Sequence, residues 1–418
     1  MTATTETIAA ELAALGRLAP AFAAIDRAGE PYGGVYLVGG TVRDILLDRQ
    51  SFDVDIAVEG DAIAFARRLA EELGGEVVAH DRFGTAVVLY GEGEHIDVVT
   101  ARSEVYPAPA ALPTVAVGTI TDDLFRRDFT INAMAASLKP VDFGRLVDPF
   151  GGRNDLQAGT IRVLHDRSFA DDPTRIFRAI RYENRYGFRL DESSARLARA
   201  ALESGLVSEL SGARLRDELV ALLSEEEVEH TILRLAELGA DRAIHPHLAA
   251  DEEAARLARR LRELKDELHV EAPDWRLRLA VLARRIPATE IGGWLDRLKL
   301  SRRDAEQIES AVAVAPELVE RLSGGEPDPA EVVTLAEPHA PDAPLLALAL
   351  ADVPALRDYF TRLRTVRLDI DGTDLAAIGL AESPQVGEVL QELRRRKLRG
   401  ELESREAELA AARELIDG

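Results

Sequence analysis

The chain has 418 residues, 46% of them hydrophobic and 30% charged, a soluble globular composition too long for one simple core and implying two to four domains. It contains no cysteine, which excludes disulfides and thiolate zinc sites and fits a cytoplasmic chain, and no uncharged apolar run approaches the roughly 18 residues of a membrane-spanning helix. Fifty-one Lys and Arg against 74 Asp and Glu leave a net charge of −23, which argues against a basic surface overall and confines phosphate recognition to local clusters such as the eleven arginines between Arg162 and Arg216.

Taken in order, the N-terminus is rich in Ala and Leu but interrupted by Glu6, Glu11 and Arg17, so it reads as an amphipathic helix and not a signal peptide. Residues 35–38 form an apolar strand closed by Gly39-Gly40, and 41–47 read as a helix. Residues 53–58 alternate as a second strand, 61–73 are helical and end at Gly74-Gly75, and 77–79, 86–90 and 96–99 are further strands. This predicts an α+β or α/β head. After Gly151-Gly152 the chain turns helical, with breaks at 324–329 and 338–344 and a charged last helix over 401–416. The expected organisation is a head over 1–150, a neck over 151–225, a body over 226–325 and a tail over 326–418.

Asp53 and Asp55 stand two apart on a predicted strand, so both carboxylates leave one face. Like charges that close repel unless a cation lies between them, and Mg2+ suits hard oxygen ligands and also binds phosphates. Asp97, on another strand, is placed to face the same metals in the manner of two-metal phosphoryl transfer. For the D-x-D pattern alone, an exposed edge strand is the commoner explanation. Upstream, Gly39-Gly40-Thr41-Val42-Arg43-Asp44 is a strand, a glycine turn and a helix start. There, backbone N–H groups can approach phosphate oxygens and Arg43 can fork onto a triphosphate. The turn lacks the P-loop form.

VGGTVRD followed by FDVDIAVEG resembles the first motif of the class II tRNA nucleotidyltransferase and bacterial poly(A) polymerase family, within the polymerase-β-like superfamily. Residues 123–135, DLFRRDFTINAMA, are similar to its second motif. The resemblance implies an α+β fold, a polymerase-β-like head with a mixed sheet followed by an all-helical neck, body and tail. It also implies that Arg127 and Asp128, with Arg126 and Asn132, contact the ribose. Residues 80–86, 96–102, 159–165 and 212–219 look familial too, the last resembling a neck motif. The segment 103–121 corresponds to a flexible region that matters in the family for the switch to adding A.

Within 171–182, DDPTRIFRAIRY, Asp172 is a good N-cap before Pro173 at the first helical position. Arg175, Arg178, Arg181 and Arg185 fall in a sector of about 120°. Cytosine and adenine each present an amine beside a ring acceptor, whereas uracil and guanine present a carbonyl beside an N–H. A carboxylate from Asp172 and a guanidinium from Arg175 therefore suit C and A. This resembles the family's D-x-x-R motif, in which the later arginines, here Arg178 and Arg181, hold the triphosphate.

These parts imply an enzyme in which Asp53 and Asp55 hold Mg2+, with Asp97 as a third ligand or base. The 3′-hydroxyl of tRNA attacks CTP or ATP and pyrophosphate leaves. The expected partners are the 3′ end and acceptor arm of tRNA, with no membrane; the oligomeric state is left open. Full CCA addition, CC-only or A-only addition and poly(A) tailing stay open as products, as does an RNA-binding protein that has lost catalysis. No histidine-based phosphohydrolase constellation follows the neck, and His245 and His247 read as structural. Arg394-Arg395-Arg396-Lys397 is placed to meet tRNA phosphates, a solvated helix face being the commoner reading.

Overall fold

In a computed structural model, which describes residues 8–13, 19–49, 54–80, 84–380 and 382–417, the predicted strands build one mixed sheet. Its strands are β1 (Val35–Val38), β2 (Asp55–Val58), β3 (Glu76–His80), β4 (Thr85–Tyr90), β5 (Glu94–Thr100), β8 (Ala135–Ser137) and β9 (Leu146–Val147), in the order β3-β4-β5-β2-β1-β8-β9. Within this sheet, among the described residues, β2 and β5 pair in parallel and the other neighbours antiparallel. β1 is buried along its whole length and β2 from Ile56 onward, as continuous apolar runs require when both faces are covered. The helix Ala62–Leu73 packs along β4. The Asp61 carboxylate accepts from the N–H groups of Ile63 and Ala64 at 3.0 Å each, and Gly74 closes the helix at φ 64°. Its buried Phe65 and Leu69 each contribute about 1.5–3 kcal/mol.

The segment expected as a flexible region is organised. β6 (Arg102–Val105) and β7 (Thr114–Val117) form a separate antiparallel hairpin, and Thr119 opens the helix Ile120–Phe125 with a capping box on Asp122. Further on, Thr160–Ile161 pairs in parallel with Arg189–Leu190 around the helix Thr174–Tyr186.

The chain divides into two compact units, Met1–Leu210 and Ser211–Gly418. The second is helical among the described residues, from Gly212–Leu223 to Arg405–Asp417, so the last helix starts later than the expected 401. Residues 324–329 link the helices Arg302–Leu322 and Pro329–Ala336. The break at 338–344 falls between the 3-10 turn Glu337–His339 and the helix Asp342–Leu350: Pro341 precedes that helix and Pro344 lies inside its first turn, where proline costs no hydrogen bond. Asp342 there is buried against Arg276, with Nε–Oδ2 at 2.6 Å.

The basic run in the tail lies on a partly exposed helix face and is laced with ion pairs. Arg394 is bidentate to Glu337 at 2.7 Å, Arg395 and Arg396 face Glu392, and Lys397 pairs with Asp369 and Glu408. Its charge is paired partly with Glu392 on its own helix and partly with Glu337, Asp369 and Glu408 from other segments. His245 and His247 both approach Glu290, at 3.6 and 4.0 Å. Among the described residues no helix is long and apolar enough to cross a membrane.

Candidate active site

Asp55 begins β2 and Asp97 sits on β5, and the parallel register sets them directly beside each other, so both carboxylates leave one face about 4.8 Å apart at the backbone. Asp97 is anchored by its N–H donating to the Val54 carbonyl at 2.9 Å, and His95 Nε2 lies 3.9 Å from its Oδ2. Asp53 lies outside the described residues. Two neighbouring carboxylates at the mouth of a strand fit a hard divalent cation such as Mg2+.

The glycine turn works differently from the phosphate cradle expected of it. The Gly39 N–H donates to the Met134 carbonyl at 3.2 Å and is not presented to a ligand. Gly39 has φ 70°, and a Cβ there would lie 2.4 Å from Arg127 Nη1. Its conformation and its missing side chain both admit Arg127. Gly40 starts the helix Gly40–Leu46. Arg43, 6% exposed, closes its fork on Asp44, with Nε–Oδ1 at 2.9 Å and Nη2–Oδ2 at 3.0 Å, and donates from Nη1 to Asn132 Oδ1 at 2.6 Å. Its guanidinium lies 4.6 Å from the Tyr186 ring centre. In this arrangement the fork is engaged by protein, and Arg43 orients Asn132.

Arg126, Arg127 and Asp128 follow the helix Ile120–Phe125. Arg126 donates from Nη1 to Glu104 Oε1 at 3.3 Å, which also accepts from Arg102 Nη2 at 2.8 Å. The Tyr106 hydroxyl donates to Glu104 Oε2 at 3.1 Å, and burial pushes this phenol up to about 12, with Glu104 adding to the rise against the pull of Arg175. Asp128 accepts from Asn132 Nδ2 at 2.9 Å and from Arg178 Nε at 2.9 Å.

Burial alone would raise the Asp128 carboxyl, but Arg178 and Asn132 outweigh it and hold it below the ordinary carboxylate range. Folded Asp128 therefore binds a proton less readily than unfolded Asp128. The stabilisation is full above the unfolded value of about 3.9 and is lost as pH falls through the lower folded value. Thermal melts should show wild type well above Asp128→Asn at pH 7, with the gap closing below about pH 4. A gap that persists unchanged to about pH 3 contradicts this.

The helix Thr174–Tyr186 supplies the opposite wall. It begins one residue later than expected, yet Asp172 Oδ1 accepts from the Thr174 N–H at 3.0 Å and from its hydroxyl at 2.5 Å, so the capping role stands. Arg175, 4% exposed, donates from Nη1 to Ser168 Oγ and from Nη2 to the Arg126 carbonyl, both at 2.7 Å.

The cavity enclosed has a volume of about 440 Å³, within the range that takes a nucleotide-sized ligand. It is lined by Gly40, Arg43, Asp55, Arg126, Arg127, Asp128, Asn132, Asp172, Arg175 and Arg178, joined by Glu104, Tyr106 and Tyr182. Of the candidates read from the sequence, Gly39, Asp97 and Arg181 stand behind or beside this lining. Arg127 Nε and Arg181 Nε are buried with no hydrogen-bond partner among the described residues. Of the two, Arg127 is on the lining, and an unsatisfied buried cationic donor at a wall carrying five arginines suits an anion. Glu104 and Tyr106 were not singled out from the sequence. Glu104 stands on β6 and Tyr106 just past its end, where the Pro- and Ala-rich stretch begins and masks the i, i+2 pairing.

Comparison with known proteins agrees with this geometry. Residues 35–162 match the "Poly A polymerase head domain" family and residues 187–252 the "Probable RNA and SrmB- binding site of polymerase A" family. An A-adding tRNA nucleotidyltransferase of Geobacter sulfurreducens is 36% identical over 92% of this chain, which spans only 45% of that protein's length. One of Halalkalibacterium halodurans is 34% identical over 92% of this chain and 89% of its own. A solved CCA-adding enzyme in its apo form superposes with a TM-score of 0.87 at 34% identity, over 97% of this chain and 98% of that one. Further solved CCA-adding enzymes are complexed with tRNA (from Thermotoga maritima, TM-score 0.82), with ATP and with CTP. Members of this family generally use a divalent metal. With a mixed-sheet head, paired carboxylates and an arginine-walled cavity, the chain belongs to the tRNA nucleotidyltransferase family.

Proposed function

We propose that this protein builds or repairs the 3′-terminal CCA of tRNA from CTP and ATP, releasing pyrophosphate, in the cytoplasm. The observation that carries the reading is one cavity with carboxylates at the sheet end and five arginines on its walls. Asp55 with Asp53, and Asp97 beside Asp55, would hold Mg2+, which when bound supplies charge neutralisation at the phosphoryl oxygens. The chain's own groups do the positioning. Arg127 and Arg181 offer buried donors to phosphate oxygens, and Arg178 fixes Asp128. Asp128 with Asn132 is set to meet the ribose, and Asp172 and Arg175 present an acceptor and a donor to the Watson–Crick edge of C or A. In this reading residues 1–150 are the catalytic head, 151–225 select the base, 226–325 are the body and 326–418 meet the tRNA.

A second reading, A-only addition, is favoured by the two A-adding relatives named above. Incorporation into tRNA transcripts ending before CCA, after C and after CC separates them. Extension of all three to CCA followed by arrest is expected for the first reading; extension of only the last supports the second. No incorporation by the wild-type chain overturns both.

A further inference from the structure

We infer that Asp123 is the positioning residue of the nucleotide wall: it sets Arg127 against the glycine turn and, through the Arg126 peptide, the base-reading Arg175. This rests on the proposed function.

Asp123 is 0% exposed and does not line the cavity. Its Oδ1 accepts from Arg126 Nε at 2.9 Å and Nη2 at 2.7 Å, and its Oδ2 accepts from Arg127 Nη2 at 2.9 Å. A buried carboxylate is stable only when paired and hydrogen-bonded, and here both oxygens are spent on two consecutive arginines that do reach the cavity. Burial would raise this carboxyl, yet Arg127 and Arg126 together hold it below the ordinary range, so it stays charged.

The two arginines depend on it unequally. Arg126 has a second anchor in Glu104. Arg127 has Asp123 as its one ion-pair partner among the described residues, while its Nη1 fills the space a Gly39 side chain would need. Removing the Asp123 charge would leave Arg127 beside other guanidiniums with no counter-charge, and repulsion would move it. The Arg126 carbonyl is where Arg175 Nη2 donates. A shift of the Arg126 side chain therefore reaches a base-selecting residue through one peptide unit. Asp123 thus acts on both triphosphate grip and base choice without touching either ligand part.

The test is steady-state incorporation by Asp123→Asn, with Arg127→Ala and the double variant. Asp123→Asn is expected to raise the KM for CTP and ATP about tenfold or more, with kcat changed much less and incorporation of UTP relative to CTP increased. In the double variant the triphosphate penalty should not exceed that of Arg127→Ala alone, because for that part the carboxylate acts through that arginine, while the change in base choice, carried through Arg126, should persist. Wild-type KM and base choice, or penalties that simply add, overturn the inference. If Asp123→Asn does not fold, Asp123→Glu decides. Its extra methylene displaces the guanidiniums while keeping the charge, so the same two changes support the inference and wild-type values overturn it. If the wild-type chain incorporates nothing, the function fails separately, and the inference is judged by whether Asp123→Asn weakens CTP binding by the same factor.

Discussion

Asp55→Asn is expected to lower nucleotide incorporation by about 10³-fold or more while the protein keeps its fold. Asp55 and Asp97 occupy neighbouring positions on parallel strands, and an amide at the first is neutral and offers a donor where a cation needs an oxygen. The loss should fall on kcat, because the arginines that grip phosphate are untouched, and should come with a requirement for more Mg2+. Stability should hold or rise slightly, since one of two adjacent like charges is gone. Incorporation kinetics across a Mg2+ titration, with a thermal melt beside them, check this. Activity within tenfold of wild type would remove Asp55 from the metal site.

Asp172→Ala is expected to cost selectivity as well as rate. A buried hydrogen bond to a base edge, once left unpaired, costs about 1–3 kcal/mol, so kcat/KM for CTP and ATP should fall roughly 10- to 100-fold. UTP and GTP never gained that bond and should fall less, so the four nucleotides draw together. Asp172 also accepts from the Thr174 N–H and hydroxyl at the start of its helix. The variant should therefore lose a cap worth about 1 kcal/mol, a shift of a few degrees in melting temperature. Single-nucleotide incorporation with all four triphosphates measures the first effect. An unchanged ranking of the four would show that Asp172 serves the helix and does not read the base.

Local chemistry was legible in the sequence and long-range pairing was not. The strand over Val35–Val38, the Asp61 cap and the Gly74 stop follow from patterns within a few residues, whereas the placing of Asp97 directly beside Asp55 is a matter of strand register. The counter-charges were invisible. Glu104 meets Arg126, and Glu337 meets Arg394, across stretches of chain that no periodicity connects. A run such as Arg394 to Lys397 therefore looks available to phosphate until its carboxylates are found. In the sequence Asp123 is one letter of a motif, and burial alone tells a carboxylate that holds arginines from one that faces water. A glycine turn can offer backbone N–H groups to phosphate, yet the Gly39 N–H is taken inside the protein. The Met134 carbonyl that takes it arrives on a distant segment.

The space at Gly39 that Arg127 occupies ties two distant stretches of the gene together. A side chain at the turn would have to take up φ 70° and push the end of the Arg127 guanidinium aside. A chimera that takes its first motif from one relative and its second from another keeps this contact only where both halves carry the pair.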